Sequence, residues 1–128
     1  MEHYSESRAR FVYRRREEGR TTQKLGPYEI ESLLSPEEEW RATVYRVRLE
    51  ASRKTRASWN EIVEEFYFIL SGAGTAFLDG EPYEIATGDF LRLPPGTRHS
   101  FATGSNGLEL LNIHVPSYRP ERDTYFDE

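Results

Sequence analysis

From Gly26 onward, short runs of apolar and polar residues are separated by turn formers, the pattern of an all-β sandwich or barrel. Around residues 41–50, period-two alternation puts Thr43, Tyr45, Val47 and Leu49 on one face and Arg46 and Arg48 on the other. The first set is predicted to point inward. Residues 65–85 read as two strands joined by a Gly-rich turn, Ser71 to Gly74, and then a hairpin at Asp79-Gly80, where both residues tolerate positive φ. Gly88-Asp89, the run Phe90 to Leu93 and the segment Pro94-Pro95-Gly96 follow, with Pro95 and Gly96 suited to the centre of a type II turn. A last strand, Leu108 to Val115, ends at Pro116, and the polar tail to Glu128 is expected to pack across the outside or stay loose. Helix is scarce. Ser35-Pro36-Glu37-Glu38 has a cap, a first-turn proline and a capping-box glutamate, which predicts a single turn.

Residues 1–24 are charge-rich, with Phe11 to Tyr13 as the one patch able to dock. They read as a mobile arm or as an interface strand exchanged with a partner subunit, leaving residues 25–128 as a single folded domain. A chain of 128 residues with 37% hydrophobic content, including 2 Trp, 8 Tyr and 7 Phe, can fill one core and enclose one pocket. No apolar run is long enough for a membrane helix and the first residues lack a secretion-type apolar stretch, so a cytoplasmic protein without a membrane partner is expected. Seventeen basic against 22 acidic residues, a net charge of -5, argue against a nucleic-acid partner. With no cysteine, thiolate chemistry is excluded, and any metal site must draw on His3, His99, His114 and carboxylates.

Two stretches resemble the paired motifs of the cupin superfamily, which are small jelly-roll β-barrels. Gly88, Pro94, Gly96 and His99 meet the second motif, although Thr103 stands where an Asn often follows. Of the first motif, Glu65 and Gly72 are present, while Ser58 and Asn60 occupy the positions of its two histidines, with Trp59 between them. The resemblance spans roughly residues 40–115. It implies a single-domain cupin jelly-roll barrel, commonly a homodimer, whose strands bring motif side chains to one point inside.

In the family that point holds a divalent metal through imidazoles and a carboxylate. Here Ser58 and Asn60 are poor substitutes, so the expectation is either no cofactor or a weakly held divalent ion on Glu65, His99 and Asn60. Without an ion, the same convergence leaves Glu65 and His99 as an acid-base pair. Tyr67 shares the parity of Glu65 and is a candidate donor to a developing oxyanion. Tyr45, Ser58, Asn60 and Phe101 are candidate ligand-binding residues, and Trp59 joins them if a bulge turns it inward to stack on a planar ligand. Leu111, Ile113 and Val115 form an apolar set, which puts Asn112 and His114 on the opposite side, as a pocket wall or, more readily, a subunit contact. Arg98, opposite in parity to His99, reads as a solvated or interface arginine.

These residues point to acid/base chemistry on a small polar or polyketide-like metabolite, as an isomerase, lyase, dehydratase or cyclase. Cupins that use no metal to epimerise sugars, ectoine synthase and small cyclases carry out such reactions. The alternatives are a binding module that only senses its ligand and a metal-dependent cupin with substitute ligands. Oxygenase chemistry is disfavoured because the usual ligands of a redox metal are missing.

Overall fold

The computed structural model describes residues 11–15, 22–39, 41–117 and 123–127. They form nine strands: β1 Thr22–Leu25, β2 Tyr28–Ser32, β3 Thr43–Leu49, β4 Ser58–Asn60, β5 Glu64–Leu78, β6 Glu81–Ala86, β7 Phe90–Leu93, β8 His99–Val115 and β9 Thr124–Phe126. The all-β expectation holds. One antiparallel path runs β1-β2-β3-β8-β4-β9, and β5 joins it to β6 and β7 by pairing with β8. Since β1 begins at Thr22 and pairs with β2, residues 22–24 belong to the sheet and not to the arm. Residues 1–10 and 16–21 lie outside the described residues. Within 11–15, Arg14 is tied to the body by its bonds to the Leu33 carbonyl and the Glu38 carboxylate.

The long strands β5 and β8 organise everything else. The sequence suggests a turn at Ser71 to Gly74 and a last strand starting at Leu108, but β5 runs unbroken through the glycines and β8 begins at His99. Two register shifts, between Ile69 and Ser71 and between Gly72 and Gly74, bend β5 without ending it. Gly72 has a φ of +94°, and a Cβ there would collide with the Gly107 carbonyl oxygen. Glycine therefore lets two bent strands touch where a turn residue would have reversed the chain. True reversals occur at Asp79-Gly80, both at positive φ, and at Pro95-Gly96, where the Thr97 amide closes on the Pro94 carbonyl. The Ser35–Glu38 segment is a hydrogen-bonded turn, not a helix, closed by Glu38 N to Ser35 O and by Ser35 N to Glu38 Oε1 at 2.7 Å.

Side-chain parity then builds the interior. Thr43, Val47 and Leu49 are buried and Tyr45 half-buried, as the alternation predicts. Val47, Leu49, Tyr67, Ile69, Phe101, Leu108 and Leu110 belong to one apolar cluster. Arg46 and Arg48, of opposite parity, share the Glu109 carboxylate on the outer face, and Arg92 pairs with Glu64 there.

Candidate active site

Register alone brings two of the site's groups together. Glu65 on β5 stands opposite His114 on β8, so their side chains share a face of the sheet. His99, at the far end of β8, reaches the same carboxylate across the curl of the sheet. Glu65, His99 and His114 are all buried, at 4%, 8% and 3% exposure. His114 Nε2 lies 2.9 Å from Glu65 Oε1, His99 Nε2 lies 3.2 Å from Oε2, and the Tyr67 hydroxyl donates to Oε1 at 2.9 Å. Thus Glu65, His99 and Tyr67 converge as the sequence predicts.

Of the two roles that the sequence leaves open for His114, the structure gives the pocket wall in place of the favoured subunit contact, and makes the ring a direct partner of Glu65. Leu111 and Ile113 are only half-buried and Val115 is exposed, so this apolar set lies on the outer side. A signal was present: Leu108 and Leu110 share parity with Asn112 and His114, and both leucines are core. The outer apolar residues of β8 instead meet those of β5, with Ile113 beside Phe66 and Leu111 beside Phe68.

The outer nitrogen of each imidazole is also held. His99 Nδ1 faces the Thr97 carbonyl at 3.1 Å and His114 Nδ1 faces Thr43 Oγ1 at 3.1 Å. Tyr45 meets the His114 ring edge-on at 5.6 Å. Burial is the largest single influence on the Glu65 carboxyl and acts to raise its pKa. The His114 hydrogen bond, the charges of His99 and His114 and the Tyr67 hydroxyl together outweigh it and hold the group below the usual carboxylate value.

These groups form part of the wall of a cavity of about 650 Å³. Ser58, Asn60, Tyr45 and Phe101 line it as expected, as do Asn112 and His114. Trp59 does not: β4 keeps its alternation, so Ser58 and Asn60 turn in while Trp59 turns out, stacked on Tyr125 at 5.8 Å. Arg98 packs its guanidinium over Trp59, 4.3 Å from the ring centroid, and pairs with Asp127. The tail supplies a wall that the sequence does not announce. Strand β9 pairs with β4 and puts Thr124 and Phe126 on the cavity, anchored by buried Asp123, whose carboxylate accepts the amides of Glu61, Ile62 and Val63. A polar tail carries no periodic signal, so only pairing could show this.

The motif resemblance implies a divalent metal at this point of the barrel. Two imidazoles with held outer nitrogens and one carboxylate are suitable donors by type. Their arrangement does not fit an ion, because His114 and Tyr67 occupy one Glu65 oxygen and His99 faces the other. Among the described residues no group of three or more His, Asp or Glu side chains is disposed to hold a metal. Asn60, the third expected ligand, accepts a hydrogen bond from Thr124 instead.

The profile of the cupin domain matches residues 45–114. An uncharacterised protein of Methanocaldococcus jannaschii is 39% identical over 59 residues, which are 45% of this chain and 47% of that protein. Quercetin 2,3-dioxygenase of Bacillus subtilis is 31% identical over 58 residues, 45% of this chain and 17% of that protein. The match therefore spans less than half of either curated relative. Among solved structures, Streptomyces Pac13 with uridine superposes with a TM-score of 0.75 at 21% identity over 92% of each chain. Another Pac13 structure, described as a nucleoside dehydratase, gives 0.73 at 22% identity and 92% coverage of both chains. Ectoine synthase from P. lautus gives 0.72 at 16% identity, covering 84% of this chain and 80% of that one. Likeness at these identities establishes the jelly-roll fold.

Proposed function

Because the chain belongs to the cupin superfamily, we propose that its cavity is the active site of a small-molecule enzyme working by proton transfer. The reaction is of the isomerase, lyase, dehydratase or cyclase type on a small polar or polyketide-like metabolite. One observation carries this reading: the hydrogen-bond pattern leaves a single proton to be shared between Glu65 Oε2 and His99 Nε2. A carbonyl only accepts, so His99 Nδ1, facing Thr97 O, carries a hydrogen. Nε2 and Oε2, 3.2 Å apart, would then present lone pairs to each other unless a proton lies between them. Oε1 is already an acceptor for Tyr67 and faces His114 Nε2, which fixes the mobile proton on the Oε2 side.

An ionised Glu65 beside a protonated His99 offers a base and an acid within reach of one bound molecule. The carboxylate takes a proton from a substrate C–H or O–H while the imidazolium gives one to a leaving hydroxyl or a developing enolate, and the one proton now on Glu65 then passes to His99 Nε2 to restore the pair. Tyr67 serves this pair by fixing the carboxylate. Its hydroxyl, which the sequence offers to an oxyanion, is committed to Glu65, making it a positioning residue. The nucleoside dehydratase activity named for Pac13, a loss of water, is of the kind such a pair supports.

The test is a panel of hydroxylated carbonyl compounds and nucleosides, incubated with the protein and followed by mass spectrometry for loss of water or exchange of deuterium from solvent. Glu65→Gln and His99→Ala should each lower turnover by at least about 100-fold while ligand binding persists. A protein that binds a panel member, never turns it over, and changes only in affinity on these substitutions is a sensor, and the enzymatic reading fails.

A further inference from the structure

Register sets the inward side chains of β3, β8 and β5 in rows. The row that holds His114 and Glu65 is followed by one made of Tyr45, Asn112 and Tyr67, and beyond it Leu110 centres a row that is wholly aliphatic. Asn112 thus stands between two tyrosines, where the acid-base cluster gives way to the apolar wall. It is 7% exposed and lines the cavity. Its place relative to Glu65 is diagonal across paired strands, an offset of about 7–8 Å.

The amide of Asn112 has one orientation. Its Nδ2 donates to the Phe66 carbonyl at 3.2 Å, and because a carbonyl only accepts, the atom on that side must be the nitrogen. Oδ1 is left on the other edge of the amide, open to the cavity and without a hydrogen bond from the described residues. The comparable buried oxygens of the wall are engaged: Glu65 Oε1 by Tyr67 and His114, Glu65 Oε2 by His99, and Asn60 Oδ1 by the Thr124 hydroxyl at 3.2 Å. An acceptor so buried and so fixed favours a ligand that brings it a hydrogen. A ligand that covers it without one loses affinity, because a desolvated carbonyl is left unpaired.

We propose that Asn112 is a specificity-determining residue of this cavity, accepting at Oδ1 a hydrogen bond from an O–H or N–H of the substrate one row away from the atoms that react at Glu65. This deepens the reading of the cavity as a substrate site and rests on it. The substrate class is then a compact molecule with two polar positions, the reacting C–H or O–H at Glu65 and a hydrogen-bond donor at Asn112. Its apolar part lies against Leu110 and the aliphatic row.

Isothermal titration of the full chain tests this with two scaffolds: uridine and its 3-methyl, 2′-deoxy, 3′-deoxy and 5′-deoxy analogues, and quercetin and its single methyl ethers. Each analogue lacks one donor. On at least one scaffold the unmodified compound should bind the parent protein saturably, with one analogue weaker by about 10-fold or more. In Asn112→Leu, which keeps the branching at Cγ and has no acceptor, that one difference should shrink to within about 2-fold while those of the other analogues stay. Loss of a merely structural bond to Phe66 would weaken every compound alike and keep all the ratios. Asn112→Ala repeats the comparison if the melting temperature shows that leucine unfolds the barrel. Ratios unchanged by the substitution, no analogue weaker than its unmodified compound, or no saturable binding on either scaffold overturn the proposal. Turnover is a separate readout: a ratio that collapses in Asn112→Leu without any turnover sinks the enzymatic reading and leaves Asn112 as the residue that selects the ligand.

Discussion

Substituting Glu65 separates charge from hydrogen bonding in the buried cluster. Glu65→Ala removes the acceptor of the Tyr67 hydroxyl and the partner of both imidazoles, all at a site 4% exposed. Orphaned buried donors cost about 1–3 kcal/mol each, and breaking a buried charged pair about 3–5 kcal/mol in total. Glu65→Gln has nearly the same shape and a different outcome. Its amide oxygen accepts from Tyr67 and His114 as Oε1 does, and its NH₂ donates to a neutral His99 Nε2, whose Nδ1–H remains on Thr97 O. Every partner stays satisfied, so the loss should stay within about 1.5 kcal/mol while the shared proton disappears. Urea unfolding at neutral pH, followed by tryptophan fluorescence, measures both variants against the parent. If Glu65→Gln is as damaging as Glu65→Ala, the imidazoles require a negative charge between them, and the count of one shared proton is wrong.

Four further outcomes are expected. The folded-state pKa of Glu65 lies below its unfolded value, so its contribution is fully present above about pH 4.3 and is lost as pH falls through the folded value; urea midpoints taken down to pH 3 should fall more steeply for the parent than for Glu65→Gln, and parallel curves would refute the depressed pKa. Asp123→Ala frees three consecutive backbone amides and unpins β9; a cost of about 3 kcal/mol, or a fall in Tm of roughly 10 °C, should be only partly relieved in Asp123→Asn, as calorimetry can show. Gly72→Ala meets both a positive φ and the Gly107 carbonyl, whereas Gly80→Ala meets only its φ of +85°; the first should cost at least about 2 kcal/mol more in urea unfolding, and equal losses would mean that the strands do not touch there. Elemental analysis of the purified protein should find well under one equivalent of Mn, Fe, Ni or Zn, with no thermal stabilisation on adding them; a stoichiometric ion would show that the Glu65 cluster opens to bind it.

Alternation and turn chemistry were enough to read the strand character, the inward face of β3, the Asp79-Gly80 hairpin and the Pro95-Gly96 turn, because each depends on residues close together in the chain. Glu65 and His99 were legible for another reason: they sit in spaced motifs of a family whose barrel joins them. What the sequence left open depends on distant pairing. Which parity of β8 faces inward is settled by its register against β5 and β3, and this decides between the two roles left open for His114, making it a pocket wall and the second imidazole on Glu65. The same holds for the glycines of β5, where a local rule expects a turn and contact with Gly107 imposes a bend. Strand β9 and Asp123 make the point most simply. A short polar tail has no periodicity of its own and becomes a wall of the cavity only because β4 offers an edge and the 61–63 amides need an acceptor.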